Sequence, residues 1–366
     1  MWTHTAVTEV LKIKLPIVQG PFGGGPSSIA LTAAVSNAGG LGSFGAYSLT
    51  PEQIKQLVTD LRAQTNHAFA LNLWIPFTPS HEKHVTESEY QAAVTRLQPY
   101  YDEVGATAPS YDSLFRSQDF DKQVAALIEA APPAFSFVFG IPKPEILRAC
   151  RERKIVTMGA ATNVDEAIAL EAAGVDLIVA TGSEAGGHRV SFLHDPDESP
   201  ANSALIPQIA DCVKTPIIAA GGIADGRGIV ASLTFGASAV QIGTAFLACD
   251  ESNATPTHKA AIRSELSRHT TLTRAFSGRY ARGIKNRFLL EMQNQQASLP
   301  AFPYQNFLTQ PLRQAAAKAD NADLQSLWVG QNAPLVRHTK AADLVEFLVD
   351  DTNKVLARLS RLGTHT

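Results

Sequence analysis

Eight short apolar runs recur along the chain: residues 17–20 (IVQG), 41–46 (LGSFGA), 69–75 (FALNLWI), 134–140 (AFSFVFG), 155–162 (IVTMGAAT), 177–182 (LIVATG), 216–222 (PIIAAGG) and 239–246 (AVQIGTAF). A glycine-rich or polar turn and then an amphipathic or alanine-rich stretch follow most of them. Several runs are apolar at consecutive positions, as a strand requires when helices cover one face and a packed interior fills the other. Strands alternating with helices form parallel βαβ units. Eight such units predict an α/β fold, a closed (β/α)8 TIM barrel, which 366 residues can build. An open doubly wound sheet is the alternative.

Helix signals separate the runs. Thr50, Pro51 and Glu52 supply an N-cap, a proline at the first helical position and an acid in the first turn. Asn163 stands before an apolar stretch with Val164, Ile168 and Ala172 at four-residue spacing, closed by Gly174. Residues 225–238 follow the same plan and end at Gly236.

Two regions interrupt the alternation. Residues 77–124 are too long and too charged for a simple connection, and predict a helical insertion after the third strand. Residues 250–330 are polar, with a proline-rich 300–305 (PAFPYQ), and predict a helical cap. The barrel is thus assigned to 1–76 and 125–249. Residues 331–366 supply an amphipathic helix returning to it.

A net charge of −3 gives no general attraction to nucleic acid or anionic membranes. No apolar run reaches membrane-spanning length. The three cysteines, Cys150, Cys212 and Cys249, include no CxxC pair and suit a reducing compartment. A cytoplasmic protein, monomer or homodimer, is expected. His81 and His84 lack a third ligand, and no metal is expected.

In such a barrel the active site lies at the C-terminal ends of the strands. Residues just past the runs are therefore the candidates: Gly20 and Phe22, Asn72 and Trp74, Thr181 to His188, Gly221 and Gly222, and Gln241, Gly243 and Thr244. The loops after the seventh and eighth strands of many barrels hold a phosphate on backbone N–H groups. Gly221, Gly222, Gly243 and Thr244 stand where that site needs them.

The segments 18–24 (VQGPFGG), 36–46, 70–74 (ALNLW), 180–189 (ATGSEAGGHR), 216–228 (PIIAAGGIADGRG) and 239–247, in that order, resemble the nitronate monooxygenases, formerly called 2-nitropropane dioxygenases. Residues 276–288 and 300–313 resemble the longer branch of that family. The resemblance implies non-covalent FMN, with phosphate contacts at Gly222, Gln241, Gly243 and Thr244 and flavin contacts at Gly20, Phe22, Asn72, Gly186 and Gly187. Thr181 stands where the family commonly has a glutamine. His188 matches the family's catalytic histidine, and imidazole suits a base that removes a proton beside a nitro group. The implied reaction oxidises small alkyl nitronates, of the propionate 3-nitronate type, with O2 to a carbonyl compound and nitrite. An NAD(P)H-dependent quinone or enoyl reductase on the same barrel is the alternative. Because nitronates are anions, Lys285, Arg279 and Arg282 are candidate pocket cations. Tyr304, Tyr101 and Tyr280 are candidate hydrogen-bonding aromatics.

Overall fold

Each of the eight apolar runs forms a strand. The computed structural model describes residues 1–76, 85–115, 118–194 and 199–362. Its barrel strands are β1 (Ile17–Gln19), β2 (Gly42–Gly45), β3 (Phe69–Trp74), β4 (Ala134–Val138), β5 (Val156–Ala161), β6 (Leu177–Thr181), β8 (Ile217–Ala220) and β9 (Ala239–Ile242). They pair in parallel in the order β1-β9-β8-β6-β5-β4-β3-β2. A parallel bridge between Val18 and Leu41 brings the two ends of this sheet together, with the Gln19 N–H donating to the Leu41 carbonyl at 2.8 Å.

Alternation along the strands separates floor, interior and wall. Val18, Leu41, Ala70, Ala134, Met158, Leu177, Ile218 and Ala239 form one inward-facing cluster. Val7 and Leu11, from the helix Ala6–Leu11, join it. Two residues further along, the same face presents Asn72, Ser136, Ala160, Val179, Ala220 and Gln241 to a cavity. The intervening residues, such as Leu71, Phe135, Ile178 and Ile217, pack outward against the helices in the larger core. The expected caps are formed: Thr50 accepts from the Gln53 N–H, Asn163 accepts from the Glu166 N–H, and Gly174 takes the left-handed φ of 80° that ends its helix.

The chain after β3 carries a helix at Glu87–Val104, which packs on the helix Tyr304–Lys318. The two share a second apolar core with Phe276, Phe288 and Leu324. The helix Ala341–Leu362 packs on the barrel helices Gly226–Thr234 and Ile29–Asn37. One expectation needs correction: residues 250–330 are not wholly helical. They contain β10 (Thr270–Thr273) and β11 (Ala281–Ile284), which form an antiparallel sheet with β7 (Gly187–His188). This sheet exists because the turn after β6 offers a free edge to the returning chain. No described helix is long and apolar enough to cross a membrane.

Candidate active site

A cavity of about 300 Å³ opens at the C-terminal ends of the barrel strands. Gly20, Phe22, Asn72, Trp74, Thr181, Gly186, Gly187, His188, Gly221, Gly222, Gln241, Gly243 and Thr244 all line it. The strand period accounts for this convergence, since Asn72, Thr181 and Gln241 share the inward phase of their strands.

The rim after β8 and β9 is a backbone cradle. Gly221 and Gly222 have φ of 109° and 65°, a region that favours glycine. Neither donates its N–H to another described residue. Side chains brace the turn from behind. Asn202 donates its amide to the carbonyls of Ala220 and Gly221 at 3.1 and 2.6 Å, and Asn332 donates to the Gly222 carbonyl. Glu184 accepts from the Asn202 N–H at 3.0 and 3.1 Å, which ties the turn after β6 to this brace. The hydroxyl of Thr244 accepts from the Gly330 N–H at 2.9 Å. At Gly243 an added Cβ would meet only the Phe22 ring, at 3.9 Å. Unpaired N–H groups beside open space suit a phosphate.

Deeper in the cavity, Asn72 donates its amide to the Ser136 hydroxyl at 3.0 Å. The Thr181 hydroxyl is turned to its own strand, 3.4 Å from the Val179 carbonyl. Gln241, on β9, also lines the cavity.

His188 is held by β7, whose partner in β11 is Ala281. Behind it, Arg279 donates to the carbonyls of Arg189, at 2.8 Å, and Ser191. Glu166, buried beneath β5, receives the N–H groups of Phe192 and Leu193 at 2.5 and 3.0 Å. The imidazole sits among aromatic rings, with centroids 5.6 Å from Trp74, 5.7 Å from Trp328 and 5.9 Å from Phe302. Its Nε2 is sealed from solvent and has no hydrogen-bond partner among the described residues. Burial, reinforced by the positive charges of Arg279 and Arg313, pushes its pKa down to about 3, so the ring is neutral at pH 7.

The cap differs from expectation in its side chains. Tyr101 does not reach the cavity: it is fully buried, and its hydroxyl donates to the Leu308 carbonyl at 2.5 Å. Tyr304 packs at the edge of the second core, and Lys285 is exposed. None of the three lines the cavity, and neither do Arg279, Arg282 or Tyr280. Arg282 is engaged with the Ser183 carbonyl, at 3.2 Å. Among the described residues lining the cavity, the permanent cation is Arg313, on the same helix as Tyr304. Tyr47, Phe139, His258, Asn306, Ser326 and Trp328 also line it and were missed. Phe139 was visible as the penultimate residue of the fourth run; the others carry no periodic signal.

No group of three or more metal-ligating side chains occurs among the described residues; His81 and His84 lie outside them. Cys150 and Cys249 are buried, and burial pushes each thiol up to about 12.

Comparison with known proteins identifies the family. The family model described as nitronate monooxygenase matches residues 4–351. A probable nitronate monooxygenase of Staphylococcus saprophyticus is 40% identical over 362 residues, covering 98% of this chain and 100% of the relative. One from Staphylococcus aureus (strain MSSA476) is 39% identical over 97% of this chain and 99% of its own length. The crystal structure of nitroalkane oxidase from Streptomyces ansochromogenes superposes with a TM-score of 0.88 at 36% identity, covering 97% of this chain and 100% of that one. FabK from Thermotoga maritima superposes with a TM-score of 0.76 at 27% identity, over 98% and 99%. With the model matching almost from end to end, and relatives this similar over their whole length, the chain belongs to the nitronate monooxygenase family.

Proposed function

We propose that this protein is an FMN-dependent enzyme that oxidises small alkyl nitronates with O2 to a carbonyl compound and nitrite. The observation that carries the reading is the unpartnered Nε2 of His188, enclosed by aromatic rings beside a glycine cradle. The residues present fit the cofactor. The N–H groups of Gly221, Gly222, Gly243 and Thr244 would hold the phosphate. Gln241 would join them, and Gly20, Phe22, Asn72, Gly186 and Gly187 would surround the flavin ring. When bound, FMN supplies the redox chemistry between nitronate and O2.

The chain's own residues contribute binding and proton handling. His188 is neutral, so its Nε2 lone pair can accept a proton from the carbon beside a nitro group. The imidazolium so formed is disfavoured by burial, but the anion generated next to it offsets that cost. With a substrate that is already a nitronate, the same ring orients the anion. Trp74, Phe139, Phe302 and Trp328 exclude water from the reacting carbon.

The test is aerobic nitrite release from ethylnitronate by purified, yellow protein. Flavin without nitrite would sink the reaction while leaving the barrel intact. On the same sample, NADH added without O2 should leave the flavin oxidised. Bleaching would favour a reductase.

A further inference from the structure

A second recess, of about 390 Å³, lies outside the barrel cavity and shares no lining residue with it. Four cations line it, Arg227, Arg337, Lys354 and Arg358, against two carboxylates, Asp225 and Asp351. The rest of its wall is apolar: Leu335, Phe347 and Val355. The recess thus holds an excess of two positive charges, in a chain whose net charge is −3.

Both carboxylates are committed to the protein. Asp225 caps the helix Gly226–Thr234, accepting from the N–H groups of Arg227 and Gly228 at 3.0 and 3.3 Å. Its Oδ2 takes the Arg227 Nε at 2.9 Å. Asp351 accepts from the Gly226 N–H at 2.8 Å. The first three N–H groups of that helix are therefore taken, and its N-terminus offers nothing to a ligand. Arg337, Lys354 and Arg358 differ. All three are exposed, and none has a hydrogen bond or ion pair with another described residue. Lys354 and Arg358 stand one turn apart on the helix Ala341–Leu362, with Asp351 and Val355 on the same side. Arg337 comes from the chain just before that helix. Phe347 is held in place by the His338 ring, with centroids 4.4 Å and planes 33° apart.

We propose that this recess binds a small phosphomonoester, with the phosphate among Arg337, Lys354 and Arg358 and an aromatic or apolar body against Leu335, Phe347 and Val355. A phosphomonoester carries about −1.5 to −2 charges near pH 7, which matches the excess of two positive charges; a single carboxylate would leave half of it unmatched. Its three acceptor oxygens suit two guanidinium forks and an ammonium. The volume lies within the range of small-molecule sites. The site goes beyond the nitronate reading and does not depend on it.

The holoenzyme is titrated calorimetrically at low ionic strength with AMP, adenosine and inorganic phosphate. AMP should bind once per chain and weaken as salt is raised. Adenosine and inorganic phosphate should each bind about 10-fold more weakly or less, since each lacks half of the recognised groups. Arg337→Gln and Lys354→Gln should each weaken AMP about 3- to 10-fold, the low end for a hydrogen bond between charged groups because both side chains are exposed. Arg148→Gln, which removes one exposed charge from the helix Pro144–Glu152, should leave AMP binding unchanged. No AMP binding by wild type, or equal binding by wild type, Arg337→Gln and Lys354→Gln, overturns the proposal. So does an equal loss in Arg148→Gln, which would reduce the effect to net charge. Adenosine binding as tightly as AMP would remove the phosphate from the recognition, and inorganic phosphate binding as tightly would remove the apolar wall. Release of flavin on adding AMP would put the nucleotide in the glycine cradle and overturn the separate site. A hexaglutamate peptide binding more tightly than AMP would give the recess to an acidic peptide instead.

Discussion

The imidazole of His188 and the indole of Trp74 meet edge to face, with ring centroids 5.6 Å apart and planes 68° apart. One residue ends a barrel strand and the other belongs to the strand that pairs with the cap. Trp74 also stacks on Tyr47 at 3.8 Å and meets Phe139 at 5.1 Å. Trp74→Ala should therefore open the cage on several sides and admit water to the base. Nitronate kcat/KM should fall on the order of 10- to 100-fold, following lost positioning and desolvation. Trp74→Phe should recover much of that. Steady-state kinetics on both variants checks this, and equal rates for the two would refute the caging role.

Acid sensitivity should trace to two histidines. Burial pushes His188 down to about 3 and His258 to about 4, the latter opposed by a hydrogen bond to the Trp328 carbonyl. An unfolded histidine takes up its proton near 6.5. Between these values the unfolded chain binds protons that the folded one does not. Stability is thus fully present above pH ~6.5 and drains as pH falls toward 4, by up to about 1.4 kcal/mol per pH unit for each ring. His188→Gln should make the slope shallower by about one proton. Urea unfolding across this pH range reads the slope directly; an unaltered slope in the variant would contradict the assignment.

Gly186 has a packing role besides lining the cavity. A Cβ there would overlap the backbone of Val329 and Gly330. Gly186→Ala should push that segment off the turn and weaken the Gly330 to Thr244 bond beside the cradle. The expected outcome is a loss of about 1–3 kcal/mol in stability, with flavin released more readily on dilution. Flavin fluorescence after gel filtration measures the second effect. Full retention at wild-type stability would rule out the close packing.

Glu166 fastens the far end of the His188 segment. Its Oε2 accepts from the Thr162 N–H and hydroxyl at 2.7 and 2.8 Å, while Oε1 takes Phe192 and Leu193. In Glu166→Gln, an NH2 must face at least one backbone N–H whichever way the amide turns. A cost of about 2–4 kcal/mol is expected, with faster amide hydrogen exchange at 189–193. Exchange confined to other segments would show that the carboxylate does not anchor this one.

Much of the barrel was legible because its signals are local. A strand period of two, caps such as Thr50 and Asn163, and a terminating Gly174 each act within a few residues. Local phase also accounts for Asn72, Thr181 and Gln241 facing one cavity. The cap was less legible. Tyr304 is expected in the pocket because its proline-rich setting resembles the family's substrate-side segment, and Tyr101 as a hydrogen-bonding aromatic for an anion. Yet Tyr101 faces the partner helix on its own helix period and is consumed by the Leu308 carbonyl. Arg313, nine residues beyond Tyr304, takes the place that Lys285 was expected to fill.

The sequence by itself determined the eight-strand alternation, the cradle glycines, the candidate base and the family, because these depend on short-range period and on motif order. Only the tertiary structure decided what surrounds His188. Trp74, Phe139, Phe302, Trp328 and Arg313 come from segments far apart in the chain. Their meeting depends on β7 pairing with β11 and on the helix Tyr304–Lys318 packing over the barrel mouth. Such contacts arise from the balance of long-range burial and hydrogen bonding, which leaves no periodic trace in the residues that make them.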